Sequence, residues 1–330
     1  MAKAQKGLSE QVAALNALRE QPDTPDAQAA LRQALQATRA PLCAAAANII
    51  AEAELSGFEA ALLAAFDYWI EHDKPAKADP GCAAKTATVR ALYRIGARTH
   101  GAYLRGVRCV QLEPIWGGSQ DTAVELRGLS ALALVRTGYF DALVEVAELL
   151  ADPEPMARLA AVQAVAYSER QDVGVPLLRF KARLGDADSR VLAACLTGLL
   201  SLAPDSSLEL VESFIDEEKP ETAEAALLAL GESRLPAALA SLRRAAETLI
   251  SQELRSVAFV AMGLLRSDAA WDYLLAVISD EPPAQAGLAL SALGTYRRVD
   301  SLRTRVMAAV QKRGVPALIA KAEKLFNAED

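Results

Sequence analysis

The sequence predicts an all-α protein, an α-α superhelix of about eight antiparallel helix pairs wound right-handed. Three observations carry this. The chain is 52% hydrophobic but only 5% aromatic, so its apolar content is mostly Ala, Leu and Val. Such residues suit helices packed closely through small side chains, whereas strands favour aromatic and β-branched residues. Six segments repeat: LRGLSALALV, ARLAAVQAVA, SRVLAACLTG, TAEAALLALG, LRSVAFVAMG and QAGLALSALG. Their second residues, Arg127, Arg158, Arg190, Ala223, Arg255 and Ala286, are separated by 31, 32, 33, 32 and 31 residues. The joints between copies, ADPEP, GDADS, EEKPE and SDEPP, carry Asp, a good helix N-cap, and Pro, which fits a first helical turn.

The elements follow in order within a single domain, 1–330. Residues 1–40, with SEQVAALNALRE and AQAALRQALQATR, predict an N-terminal cap. Residues 41–120 read as irregular pairs with long joints. APLCAAAANIIAEAEL pairs with FEAALLAAFDYWIEH, and DPGCAAKTATVRALYRIG pairs with HGAYLRGVRCVQL. The joint EHDKPAKADPG separates them. A second long joint, EPIWGGSQ, stretches the interval from Arg90 to Arg127 to 37 residues. Pro114 and the Gly117-Gly118 pair exclude a helix there. Residues 121–313 hold the regular repeats, each with two helical patterns, Pro176 and Pro236 opening the second helix of their copies. Residues 314–330, VPALIAKAEKLFNAED and its lead-in, predict a C-terminal capping helix. One helix pair cannot bury its apolar face alone, but stacked pairs bury a continuous core.

The Arg followed by small residues (LRGLSALAL, LRSVAFVAMG) and the closing Ala-Leu-Gly (LLALGES, LSALGTY) resemble the HEAT-repeat family in its short bacterial, lyase-type form. The resemblance covers residues 121–296 and weakens on both sides. It implies a solenoid whose second helices line a concave binding face. Bilin lyases share this repeat type, so the resemblance also implies an alternative, an enzyme-associated protein holding a small ligand or chromophore in the groove.

The residues themselves offer no catalytic constellation. Two histidines, His72 and His100, and scattered Cys43, Cys82, Cys109 and Cys195 make no metal motif, and no phosphate loop or nucleophile elbow occurs. No cofactor and no metal are expected. FDYWI, residues 66–70, reads as the buried face and flank of a helix. The cysteines read as small buried thiols in a reducing compartment. The polar N-terminus and the absence of a long apolar run predict a cytoplasmic protein with no membrane partner.

Charge is uneven. Residues 1–110 hold 13 Lys/Arg and 11 Asp/Glu, residues 111–220 hold 9 and 18, and residues 221–330 hold 13 of each. An acidic centre disfavours nucleic acid, a third alternative. The expected function is a non-enzymatic scaffold binding a protein on its concave face. The candidate contacts are Arg105 and Arg108 before the long joint, Glu113 and Trp116 within it, and Arg179 and Arg183 on a later second helix. Two roles are open to Trp116. As a plug it fills the gap left by the long joint, buried between residues 89–112 and 122–136, and this is the preferred reading. As a contact it is offered to a partner.

Overall fold

The computed structural model describes residues 2–326. It is 74% helical. Its contacts divide it into two compact units, Met1–Glu169 and Arg170–Asp330.

In the first unit the helices are α1 (Ala2–Ala17), α2 (Pro25–Leu35), α3 (Ala40–Ala53), α4 (Glu59–Ile70), the short α5 (Pro75–Ala78), α6 (Ala83–Arg94), α7 (His100–Val107), α8 (Val124–Arg136), α9 (Ala142–Leu149) and α10 (Pro155–Tyr167). They form two rows. The first helices of successive pairs pack as α1, α3, α6, α8 and α10, and the second helices as α2, α4, α7 and α9. The first row is the better buried. In α3, Cys43, Ala46, Ala47 and Ile50 are inaccessible, and in α8 so are Leu126, Ala131 and Leu134. Small side chains allow this close approach, and each row shields one face of the other. Trp69 and Phe66 are buried and Tyr68 is exposed, so FDYWI is the core face and flank of α4.

The EPIWGGSQ joint is not an irregular loop. It is an antiparallel hairpin, β1 (Leu112–Ile115) and β2 (Gly118–Asp121), in register Leu112↔Asp121, Glu113↔Gln120, Pro114↔Ser119 and Ile115↔Gly118. Trp116 and Gly117 form the two-residue turn, and Gly117 takes φ 86°, a conformation that costs glycine nothing.

The second unit holds α11 (Gln171–Leu184), α12 (Ser189–Leu202), α13 (Pro204–Glu212), α14 (Pro220–Glu232), α15 (Ala238–Thr248), α16 (Gln252–Leu264), α17 (Asp268–Asp280), α18 (Pro283–Gly294), α19 (Asp300–Arg313) and α20 (Pro316–Phe326). The first row runs α12, α14, α16, α18 and α20. Prolines 204, 220, 283 and 316 open their helices, and Asp188 caps α12 by accepting from the Arg190 N–H at 3.0 Å. Pro176 departs from expectation. It lies inside α11, which begins at Gln171, because α11 starts one turn earlier than the sequence pattern indicated. The predicted C-terminal cap is α20; its last residues, 327–330, lie outside the described residues.

The closing glycines have a packing role. A Cβ built on Gly231 in α14 would sit 2.5 Å from the Ala261 carbonyl oxygen of α16. On Gly263 it would sit 3.1 Å from the Tyr296 ring, and on Gly294 3.3 Å from Leu325.

Candidate functional site

The anchor arginines of the repeat turn back onto the joints that lead into their own helices. Arg158 Nη1 donates to the Asp152 and Pro153 carbonyls at 2.8 and 2.9 Å, and Arg255 Nη2 to the Ile250 carbonyl at 3.3 Å. Arg127 goes furthest. Its guanidinium is 2% exposed and donates to Asp121 Oδ2 at 2.6 Å, the Cys109 carbonyl at 2.8 Å and Asp152 Oδ1 at 3.0 Å. One buried cation thus joins the hairpin, the end of α7 and the next joint.

The hairpin foot is a polar cluster. Asp121 Oδ1 accepts from the backbone N–H groups of Gln111 at 3.1 Å and Ala123 at 2.9 Å. Burial raises the Asp121 pKa, but these donors and Arg127 outweigh it and hold the carboxyl below its ordinary value. Glu113 Oε1 collects three donors: the Gly81 N–H at 2.6 Å, the Gln111 amide at 2.8 Å and the Thr122 hydroxyl at 2.8 Å. Here too burial raises the pKa, and the Gln111, Thr122 and Gly81 donors lower it further than burial raises it. Behind Glu113, Asp79 is wholly buried and pairs with Lys85 Nζ at 3.0 Å, Lys85 being 1% exposed. Asp79 also accepts the Ala84 N–H at 2.8 Å, capping α6, and its carbonyl accepts from the Gln111 amide at 2.8 Å.

Above that foot the hairpin stands clear. Strand alternation puts Val110, Leu112 and Pro114 on one face and Gln111, Glu113 and Ile115 on the other. The second face carries the bonds to residues 79–81. The first is apolar, and Val110, Leu112 and Pro114 are all exposed. Trp116 at the turn is 102% exposed. The plug reading of Trp116 is therefore overturned. Pairing of β1 with β2 closes the long joint by itself, so no gap remains for the indole to fill.

Three of the four predicted cations, Arg105, Arg108 and Arg183, have partners within the fold. Arg105 in α7 bonds Asp67 and, at 3.1 Å, Glu71, both on α4 or at its end, and lies 5.4 Å over the Phe66 ring. Arg108, at the end of α7, makes a two-pronged pair with Glu145 of α9, its Nε 2.9 Å from Oε2. The Glu145 carboxylate, by hydrogen bond and charge, raises the Arg108 pKa. The second-helix row of the first unit is thus a ladder of internal ion pairs. The second unit repeats the device. Arg183 of α11 donates to Ser213 at 3.3 Å and lies 5.1 Å over Phe214. Arg244 of α15 pairs with Glu212 of α13 at 3.3 Å, and Arg305 of α19 with Asp272 of α17. Arg179 is exposed on α11, beside Phe180 and Leu184, which are also exposed.

The structure brings Glu113 and Trp116 onto one hairpin, and Arg105 and Arg108 onto the adjoining α7. Arg179 and Arg183 share one face of α11, in the other unit. Sequence reasoning missed Asp79, Lys85, Gln111, Asp121 and Arg127 as the hairpin's support. The signal for the hairpin was present, in two-residue alternation across VQLEPIW followed by glycine. Among the described residues no group of three His, Cys, Asp or Glu side chains is placed to hold a metal ion, and no helix is long and apolar enough to cross a membrane.

Residues 176–263 match the family model for HEAT repeats. No curated protein matches the chain. Among solved structures, the complex of CpcE and CpcF of phycocyanin lyase from Nostoc is similar at 17% identity, over 88% of this chain and 94% of that one, with a TM-score of 0.35. An engineered protein is similar at 15% identity, over 97% of this chain and 95% of that one, with a TM-score of 0.37.

Proposed function

We propose that this chain, which carries HEAT repeats, is a protein-interaction scaffold with no chemistry of its own, and that its hairpin is the principal contact. The observation that carries this reading is a fully exposed tryptophan on a rigidly founded β-hairpin, in a molecule otherwise helical. Solvent-exposed indole costs free energy in a lone protein. Contiguous exposed apolar side chains mark interaction sites, and Trp is enriched among interface hot spots. Leu112, Pro114 and Trp116 supply the apolar surface. The buried Arg127 and Lys85 pairs beneath hold it in one conformation, which lowers the ordering cost of binding.

The partner is a protein offering an apolar pocket. Nucleic acid is disfavoured by the acid excess of residues 111–220 and by the pairing of Arg105 and Arg108 with carboxylates. Free thiols support a cytoplasmic site of action. The second candidate contact is the exposed Arg179, Phe180, Arg183 and Leu184 face of α11, which the same experiment addresses.

The test is affinity capture from native extract with wild-type, Trp116→Ala and Phe180→Ala chains, read by quantitative mass spectrometry. A protein retained by wild type and Phe180→Ala but lost from Trp116→Ala supports the hairpin. Loss from Phe180→Ala alone moves the contact to α11. Equal retention by all three overturns both assignments.

A further inference from the structure

The hairpin has an edge on either side, and the two are not alike. The Thr122 N–H bonds the Gln111 carbonyl at 2.9 Å, one place below the pair Leu112↔Asp121. Antiparallel strands alternate bonded and non-bonded pairs. Glu113↔Gln120 and Ile115↔Gly118 are therefore bonded pairs, and Pro114↔Ser119 between them is not. This is why β1 tolerates a proline: the Pro114 nitrogen points away from β2, where no donor is required. The same geometry turns the Ser119 N–H and carbonyl outward on the opposite side.

The outer edge of β1 thus lacks a donor at its centre, whereas that of β2 offers both groups. Gly118, Ser119 and Gln120 are all exposed, and none carries a charge. Natural edges are guarded by charge, by proline or by a covering element, and these three residues have none of them. The edge also has an opening for a side chain. Ile115 and Gly118 stand opposite each other, so their side-chain positions share one face. A Cβ built on Gly118 would meet nothing within 4 Å, and Ile115 is exposed. Gly118 is a bare slot beside an apolar side chain.

We infer that the hairpin receives its partner by strand addition: an extended segment of the partner pairs with the outer edge of β2 at Ser119 and lays a bulky apolar side chain over Gly118 against Ile115. The inference rests on the hairpin's being the contact proposed above. A main-chain donor and acceptor on an open edge recognise the same two groups on an extended backbone. An aromatic or branched side chain set across a strand glycine packs on the neighbour beyond it. One outward donor and acceptor make a short handle, so Trp116 at the adjoining turn supplies the rest of the contact. A second copy of this chain fits less well. Antiparallel pairing of two β2 strands about Ser119 sets the copy's glutamine over Gly118, a polar side chain in an apolar slot.

The test uses the full-length chain and a defined probe, the fluorescein-labelled, end-capped peptide Thr-Val-Thr-Phe-Thr-Val-Thr. One twin is methylated on every backbone nitrogen, and another has Gly in place of Phe. Fluorescence anisotropy should show saturable binding of the probe, weaker binding of the Gly twin and none of the methylated twin. Ser119→Pro removes the outward donor without touching a bonded pair, as Pro114 does opposite it, and should weaken the probe at least about fivefold. Pro114→Ser should not weaken it. Hydrogen exchange over residues 110–122 equal to wild type shows that the Ser119→Pro hairpin is intact; where it is not, the methylated twin on the wild-type chain decides alone. A probe that does not bind, or equal binding by the methylated twin or by intact Ser119→Pro, overturns strand addition. So does a protein captured from extract that Trp116→Ala loses and Ser119→Pro keeps, but that result leaves the hairpin contact standing. Equal retention by Trp116→Ala removes the contact and the inference with it. A wild-type dimer in light scattering that Ser119→Pro renders monomeric gives the edge to a second copy and overturns the inference as well.

Discussion

At the scale of single residues, one side chain at the hairpin turn and one at its foot behave oppositely. Trp116 is large and apolar but touches little, so its removal leaves no cavity. Trp116→Ala should change stability by no more than about 0.5 kcal/mol, as exposed substitutions do, and a thermal melt checks this. Arg127 is charged but enclosed. Arg127→Ala strips Asp121 and Asp152 of their buried cation and should cost about 3–5 kcal/mol, because uncompensated buried charge is the penalty. An unchanged urea midpoint would show that water already reaches those carboxylates. Neither role was legible from residue type alone. The joint around Trp116 showed its excess length plainly, but its pairing hung on four-residue strands, one of them interrupted by Pro114, which ordinarily argues against a strand. Lys85, within a helical pattern, resembles any solvated lysine. Its partner Asp79 stands across a turn that only the fold closes.

At the scale of elements the repeat was readable because packing imposes it directly. The anchor arginine holds the joint leading into its own helix, and the terminal glycine meets a neighbouring element, each at a fixed position, so each recurs with the period. Ala226, Ala258 and Ala289 are fully buried, while Ala193, at the equivalent place, is only half-buried. Ala226→Leu should overpack α14 and cost about 1–3 kcal/mol. Gly231→Ala is the sharper test. Its added methyl meets the backbone of Ala261, which cannot rotate away as a side chain can, so α14 and α16 must part. The melting temperature should fall, and amide exchange should quicken in both helices. Intact protection in α16 would mean that the two helices have room for the added methyl. What the period did not convey is charge pairing along the second helices. Arg105 and Arg108 read as a cationic binding face because their partners, Asp67, Glu71 and Glu145, lie more than 30 residues away.

At the scale of the whole molecule, acid should act first on the hairpin. The chain carries 42 Asp and Glu against 35 Lys and Arg, a net −7 at pH 7 with neutrality near pH 5.2. Loss of net charge lowers solubility near that pH without itself unfolding the protein. Stability responds lower down. Asp121 and Glu113 have folded pKa values depressed below those of the unfolded chain, about 3.9 for Asp and 4.3 for Glu. Such groups stabilise fully above those unfolded values, where both states are ionised and only the native one supplies donors. Their contribution declines as pH falls below them and is gone once the folded pKa is passed. Both sit at the hairpin foot, so this region should loosen before the helical rows do. Urea midpoints should be level between pH 7 and 5 and drop from about pH 4 downward. Exchange of residues 110–122 should accelerate ahead of α3 and α6. In Glu113→Gln the slope between pH 4 and 3 should be shallower, since one of the titrating carboxylates is gone. A slope equal to wild type would place the acid-sensitive group elsewhere in the molecule.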